Sequence, residues 1–227
     1  MDYKKETRSA YQNLAKAVSY KKQIAEKLTW ARFAMWREKR IIKKALRRCR
    51  IKMTDLLLDI PCGTGVLASV LGSASDIIIA SDISREMMDF AREEYRGIPV
   101  RGFIQADITA TPFKPGSFRC VVVLGFMHRV PSEIRIKTLR EMASVSDESI
   151  IVSYSVVSAL QRCKRSLMKR LFASYKSAPS SAALQEILQE LSAQGWMVVK
   201  KYQVVPFLSS EFVFVLKKMK ASRSLGG

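Results

Sequence analysis

From residue 54 onward, five short runs of almost wholly apolar residues punctuate the chain, at 56–60, 77–82, 100–106, 120–125 and 149–153. Stretches with helical spacing lie between them, at 66–71, 85–95 and 132–144. Strands that are apolar throughout, not in alternation, must be covered on both faces, which means a parallel sheet wound with helices on each side. The end of the chain differs. A helical stretch over 181–194 is followed by runs at 196–205 and 211–217, separated by a few residues around Pro206, Ser209 and Ser210. That link is too short for a crossover helix and suits an antiparallel pair. The expectation is an α/β, doubly wound, seven-stranded, mostly parallel sheet with one antiparallel strand near the C-terminus, preceded by a helical extension.

The extension carries most of the charge. The 227 residues hold 39 Lys and Arg against 20 Asp and Glu, a net of +19. Residues 1–52 hold 17 basic and 4 acidic residues, a net of +13. They contain no Pro or Gly, and Leu28, Ala31, Met35, Ile42, Ala45 and Cys49 recur on one helical face. Trp30, Phe33 and Trp36 widen that apolar side and read as core, with a lid over a substrate as the alternative. Such a field implies an anionic partner, whether RNA, an anionic membrane surface or a phosphorylated substrate, with residues 37–52 and a second basic segment over 162–176 as the contacts for RNA or a membrane; the plainer reading is a solvated helix face that only aids solubility. The chain divides into a basic extension or lid (1–52), a main domain (53–220) with a basic helical insertion over 155–180, and a disordered tail (221–227). The longest apolar run, 121–127, is seven residues and cannot span a bilayer. The four cysteines form no C-x-x-C, so neither a zinc site nor a disulfide framework is expected. A cytoplasmic location, peripheral to the membrane if the basic residues recruit it, is the simplest reading.

The chemistry concentrates after the first apolar run, in Asp59-Ile60-Pro61-Cys62-Gly63-Thr64-Gly65. Two glycines let the backbone turn tightly and a ligand approach it. A helix starting near Val66 would point its N–H groups at that ligand. Gly63-x-Gly65-x-x-Ala68 also satisfies the pyrophosphate-binding pattern of dinucleotide domains, so a dehydrogenase is a rival. The acids separate the readings. Asp59, Asp82 and Asp107 each close a successive apolar run, and three carboxylates on one sheet edge suit a cationic, hydroxyl-rich nucleoside better than a pyrophosphate. Each also has a plainer reading: Asp59 orienting the loop, Asp107 as a turn residue.

At these residues the sequence resembles the class I S-adenosylmethionine-dependent methyltransferases, whose fold is Rossmann-like. Leu57 to Gly65 is similar to their first motif. Asp82 with Ile83-Ser84-Arg85-Glu86-Met87-Met88 is similar to their ribose-binding acid and the helix after it. Gln105-Ala106-Asp107-Ile108 is similar to their adenine-binding strand end. Phe126-Met127-His128-Arg129-Val130 resembles the Leu-His-His stretch of small-molecule and quinone-pathway members. The resemblance implies S-adenosyl-L-methionine as cofactor. Gly63 and Gly65 would face its methionine portion, Asp59 would stand at the strand end, and Asp82 would take the ribose. Asp107 and Ile108 would meet the adenine amine, Ile83 and Met87 would flank the ring, and Leu124 and Gly125 would line the methyl end. His128, the sole histidine, is the candidate catalytic base. Three departures stand out: Pro61 in place of a glycine, one histidine where two are common, and 145–149 in place of a Pro-Gly-Gly turn.

The segment Leu124-Gly125-Phe126-Met127 matches neither amino-directed nor cytosine-C5 nucleic-acid methyltransferases, and no acid cluster for a metal-dependent site can be assembled. The expected acceptor is therefore a small or membrane-associated molecule: a lipid, a quinone or a glycan intermediate. An RNA methyltransferase using the basic helices, and a non-catalytic cofactor-binding module, are the alternatives.

Overall fold

The computed structural model describes residues 30–156, 182–206 and 208–219. Helix α1 (Trp30–Arg48) leads into β1 (Leu56–Asp59), α2 (Ala68–Gly72), β2 (Ile77–Asp82), α3 (Arg85–Glu94) and β3 (Gly102–Gln105). Then come β4 (Phe118–Val123), a 3-10 turn (Met127–Arg129), α4 (Ser132–Val145) and β5 (Ser146–Ser155). Helix α5 (Leu184–Ala193), β6 (Trp196–Gln203) and β7 (Glu211–Lys218) complete the order. The expected tail, and all but the first two residues of the expected 155–180 insertion, lie outside the described residues.

The seven strands form one sheet in the order β3-β2-β1-β4-β5-β7-β6. The pairs from β3 to β5 are parallel. Strand β7 runs antiparallel to both β5 and β6, so it alone is reversed. This is the expected architecture, and its apolar runs are explained by the pleat. Leu57, Ile78, Cys120, Val122, Ile151 and Val215 pack toward α1, α2 and α3. Their neighbours Leu58, Ile79, Val121, Ile150 and Leu216 pack toward α4 and α5. Successive side chains point to opposite faces, and each face is a core. Helices α4 and α5 are further joined by a buried ion pair, Arg135 to Glu190 at 2.6 Å, with Glu186 at 3.1 Å.

Helix α1 is part of this packing. It lays Ile41, Ile42, Ala45, Leu46 and Cys49 on the sheet. Phe33 and Trp36 do not belong to that seam, at 44% and 49% exposed, while the side chain of Trp30 lies outside what the structure describes. The expectation that Phe33 and Trp36 are core is corrected here. The seam is centred on Ile42, Ala45 and Cys49, and at 100° per residue Phe33 and Trp36 fall on the opposite side of the helix. No turn separates α4 from β5, since Val145 ends one and Ser146 begins the other.

Candidate active site

The carboxyl ends of β1, β2 and β3 bring Asp59, Asp82 and Asp107 to one edge of the sheet. The loop after β1 is fastened to the end of β2 by backbone and carboxylate together. Cys62 N donates to Ser81 O at 2.8 Å. Gly63 N donates to Asp82 Oδ2 at 2.8 Å, and Ser84 N to Asp82 Oδ1 at 2.9 Å. Ser84 caps α3, its Oγ accepting from Met87 N at 3.1 Å. Asp82 is thus buried with both carboxylate oxygens engaged. Burial pushes its carboxyl above the usual range, and the N–H groups of Ser84 and Gly63 oppose that.

Asp59 is more deeply enclosed. Its Oδ2 accepts from the Tyr95 hydroxyl at 2.8 Å. Burial pushes its carboxyl up to about 7; the Tyr95 bond opposes the shift and the nearby Asp82 charge adds to it. Tyr95, at the end of α3, was not visible as a site residue in the sequence. Asp107 closes a turn, with Oδ1 accepting from both the N–H and the hydroxyl of Thr109 at 2.8 Å. That is the plainer reading of Asp107, and it sits half-buried beside the buried Ile108.

The two glycines have different tasks. Both have positive φ, +52° at Gly63 and +80° at Gly65. A Cβ on Gly63 would meet nothing within 4 Å, so open space lies beside it. A Cβ on Gly65 would stand 2.9 Å from both Ala91 Cα and Glu94 Cβ, so this glycine lets the loop press against α3. Its N–H is already given to Cys62 O at 2.9 Å. The helix expected from Val66 begins only at Ala68 and is five residues long. Its first turn is tight, with Ala68 N bonding Gly65 O and Val70 N bonding Leu67 O. The glycine turn and Asp82 form the polar floor of this edge. Met87 is buried and Ile83 half-buried at the start of α3.

After β4, Leu124 is half-buried, and Gly125 (φ +69°) donates its N–H to Ser153 Oγ at 2.8 Å. His128 follows in the 3-10 turn. Its Nε2 lies 3.4 Å from Arg129 Nε, and its buried Nδ1 has no hydrogen-bond partner among the described residues. Burial, with the Arg129 charge, pushes His128 down to about 4, so it is neutral at pH 7. A second acidic pair, missed by sequence reasoning, lies at this end of the molecule. Glu38 of α1 is pushed up to about 8, first by burial and then by the charge of Glu211. Glu211, opposite the last residue of β5, is raised by burial and lowered by Arg129. Its one sequence signal was periodicity, since Glu38 sits at helical spacing with the buried Ile42, Ala45 and Cys49. No group of three His, Cys, Asp or Glu suited to a metal ion occurs among the described residues.

A sheet of this strand order with only β7 reversed, and with the glycine turn and acids on its carboxyl edge, is the fold of the class I S-adenosylmethionine-dependent methyltransferases. Residues 57–148 match the family model described as methyltransferase domain, which bears out the resemblance drawn from the motifs. A demethylmenaquinone methyltransferase of Clavibacter sepedonicus is 28% identical over 146 residues, covering 63% of this chain. This chain spans 59% of that relative's length. A second demethylmenaquinone methyltransferase, from Lactobacillus johnsonii, is 32% identical over 96 residues, 39% of each chain. Among solved structures, magnesium protoporphyrin IX methyltransferase of Synechocystis PCC 6803, crystallised with bound S-adenosylhomocysteine, superposes with a TM-score of 0.74. It is 14% identical, over 96% of this chain and 100% of that one.

Proposed function

We propose that the protein is an S-adenosylmethionine-dependent methyltransferase acting on a small, largely apolar acceptor, such as the ring of a quinone precursor. The observation that carries this reading is the open space beside Gly63, directly next to an N–H held by the buried carboxylate of Asp82. A nucleoside edge can approach the backbone there, and no Cβ blocks it. The two demethylmenaquinone methyltransferases support the acceptor class.

The residues present fit the cofactor. Asp82 and the Gly63 turn would hold the ribose side, Ile83 and Met87 would flank the adenine, and Asp107 with Ile108 would meet its edge. Leu124 and Gly125 would line the far end. When bound, S-adenosylmethionine supplies an electrophilic methyl group on a cationic sulfur. The chain's own contribution is positioning: rigid donors and acceptors that hold two reactants in register can supply roughly 7–11 kcal/mol of the barrier. Asp82 offers acceptor oxygens toward a cation, and Asp59, whose carboxyl ionises near pH 7, adds negative charge beside it as pH rises through that value. His128 is neutral at pH 7; its Nε2 accepts from Arg129 Nε, which leaves Nδ1 as an unpartnered N–H donor that serves as an orienting group, and it is a poor base because its conjugate acid is lost at about pH 4.

The test is calorimetric titration with S-adenosylhomocysteine, run beside a radiolabelled methyl-transfer assay on a detergent-dispersed demethylated quinone. Binding that weakens at least tenfold in Asp82→Ala is expected. An unchanged affinity in that variant would remove the cofactor reading; binding without transfer to the quinone would remove the acceptor class alone.

A further inference from the structure

We propose that the outward stripe of α1, with the groove it forms against β6, is a docking surface for an anionic lipid bilayer. The groove, about 800 Å3, is lined by Arg37, Arg40, Lys43, Lys44, Arg47 and Lys201, with no acidic residue among its lining. None of these six makes an ion pair among the described residues, where the pairs formed lie in α3, β4, β5, β7 and between α4 and α5. Among the described residues these six cations are thus gathered with no paired counter-charge, and they repel one another where no anion neutralises them.

The stripe also presents apolar rings to solvent. Positions 33, 36, 37, 40, 43, 44 and 47 follow the three- and four-residue spacing of a single helix face. It lies opposite the Ile42, Ala45 and Cys49 seam that packs on the sheet. Phe33 and Trp36, both about half exposed, stack on each other at 6.0 Å between centroids. Leu208, 69% exposed, lies two residues from Pro206, which lines the groove. A helix whose outward side combines partly exposed rings at one end with a run of Lys and Arg matches the chemistry of an interfacial helix. The rings enter the headgroup boundary and the cations meet anionic headgroups.

The aromatic geometry favours a bilayer over a nucleic acid. Single-stranded RNA is held by bases stacking on open ring faces. Here Trp36 already has Phe33 stacked on it and the Arg40 guanidinium 4.8 Å over its ring, and Tyr202 has Lys44 5.6 Å over its own. The rings are arranged as a compact wedge flanked by charge. The wedge also stands at a useful place. Arg37 Nε donates to Val204 O, and Glu38 of the same turn faces Glu211 at the carboxyl end of β5. The docking surface therefore begins at the edge of the sheet that carries Asp59, Asp82 and Asp107. It stands whether or not the chain transfers methyl groups.

Co-sedimentation of the full chain with vesicles tests it, using phosphatidylcholine alone and phosphatidylcholine mixed with phosphatidylglycerol. Partitioning onto the mixed vesicles only is expected. Each cation near such a surface contributes about five-fold, so Arg40→Ala/Lys43→Ala/Lys44→Ala should lower the partition coefficient about a hundred-fold. These are exposed side chains, and an unchanged melting temperature shows that the variant is folded. Phe33→Ser/Trp36→Ser should weaken binding at high salt, where the charge contribution is screened. Equal binding to both vesicle types, or full binding by the triple variant, overturns the proposal. So does full retention by the double aromatic variant, or a polyuridine strand that binds more tightly than the mixed vesicles and displaces the protein from them.

Discussion

Replacing Glu38 by Gln should make the protein more stable at alkaline pH and leave it unchanged at acid pH. Glu38 lies on the packed side of α1, where burial, with Glu211 close by, moves its carboxyl from an ordinary value near 4.5 to about 8. Between those two values the folded chain holds a proton that the unfolded chain has released. Stability is therefore fully present below about pH 4.5 and falls as pH rises, at about 1.4 kcal/mol per pH unit, until the folded carboxyl ionises near pH 8. The full interval amounts to about 5 kcal/mol. Partial solvent contact of the side chain reduces it, and about 3–5 kcal/mol is expected, a large share of the ~5–15 kcal/mol that holds a domain together. Gln does not titrate, so it removes this loss. Urea midpoints for the two proteins should lie close together near pH 5, diverge up to about pH 8 and stay apart above it, with the variant the more stable. Hydrogen exchange should place the difference in α1, because undocking that helix is enough to release the carboxyl to water. Parallel pH profiles for the two proteins would refute the reasoning, since a solvated Glu38 gives no pH-dependent difference.

The glycine turn makes a paired prediction. Gly65→Ala adds a methyl 2.9 Å from α3 at a φ of +80°, and should lower stability by about 2–4 kcal/mol, read as a fall in melting temperature. Gly63→Ala places its methyl in open space and should cost only about 1 kcal/mol of stability while weakening S-adenosylhomocysteine binding; the reverse ranking would undo the division of labour between them. His128→Asn should leave the shape of the pH–rate profile between pH 6 and 8 unaltered, because His128 is already neutral there. An inflection near pH 6.5 in the wild type that disappears in the variant would show that its proton takes part.

The sheet was legible because its physics is repeated. The inner strands have to satisfy two cores, so they appear as apolar runs, and β2 and β7 fall within a residue of their expected bounds. The three acids were legible for a related reason: each marks the point where an apolar run meets the solvent edge. What was missed depends on contacts between distant parts of the chain. Nothing near Gly65 in sequence indicates that α3 will lie against it, so it looked like a second ligand-facing glycine. Nothing near Asp59 indicates that Tyr95, 36 residues away, will donate to it. The start of α2 was misplaced because Leu67 at its N-cap makes no side-chain hydrogen bond that would mark the boundary.

Helix α1 shows how such an error can carry information. Its composition allowed the aromatics to be read as extending the apolar face, yet the sheet takes up only the seam from Ile41 to Cys49. Two large rings left outside the core cost free energy in water, at about 25 cal/mol for each Å2 of apolar surface left uncovered. The six cations beside them add mutual repulsion. Either feature alone is ordinary for a surface helix. Together on one stripe, with the tight packing among the described residues on the other side of the same helix, they make the outward face of α1 less stable in bulk water than against a surface that is both negative and apolar. The titration of Glu38 bears on the same helix from within. The hold of its packed side weakens as pH rises from about 4.5 to about 8, so the strength of α1's grip on the sheet and the display of its outer stripe are coupled through one carboxyl group.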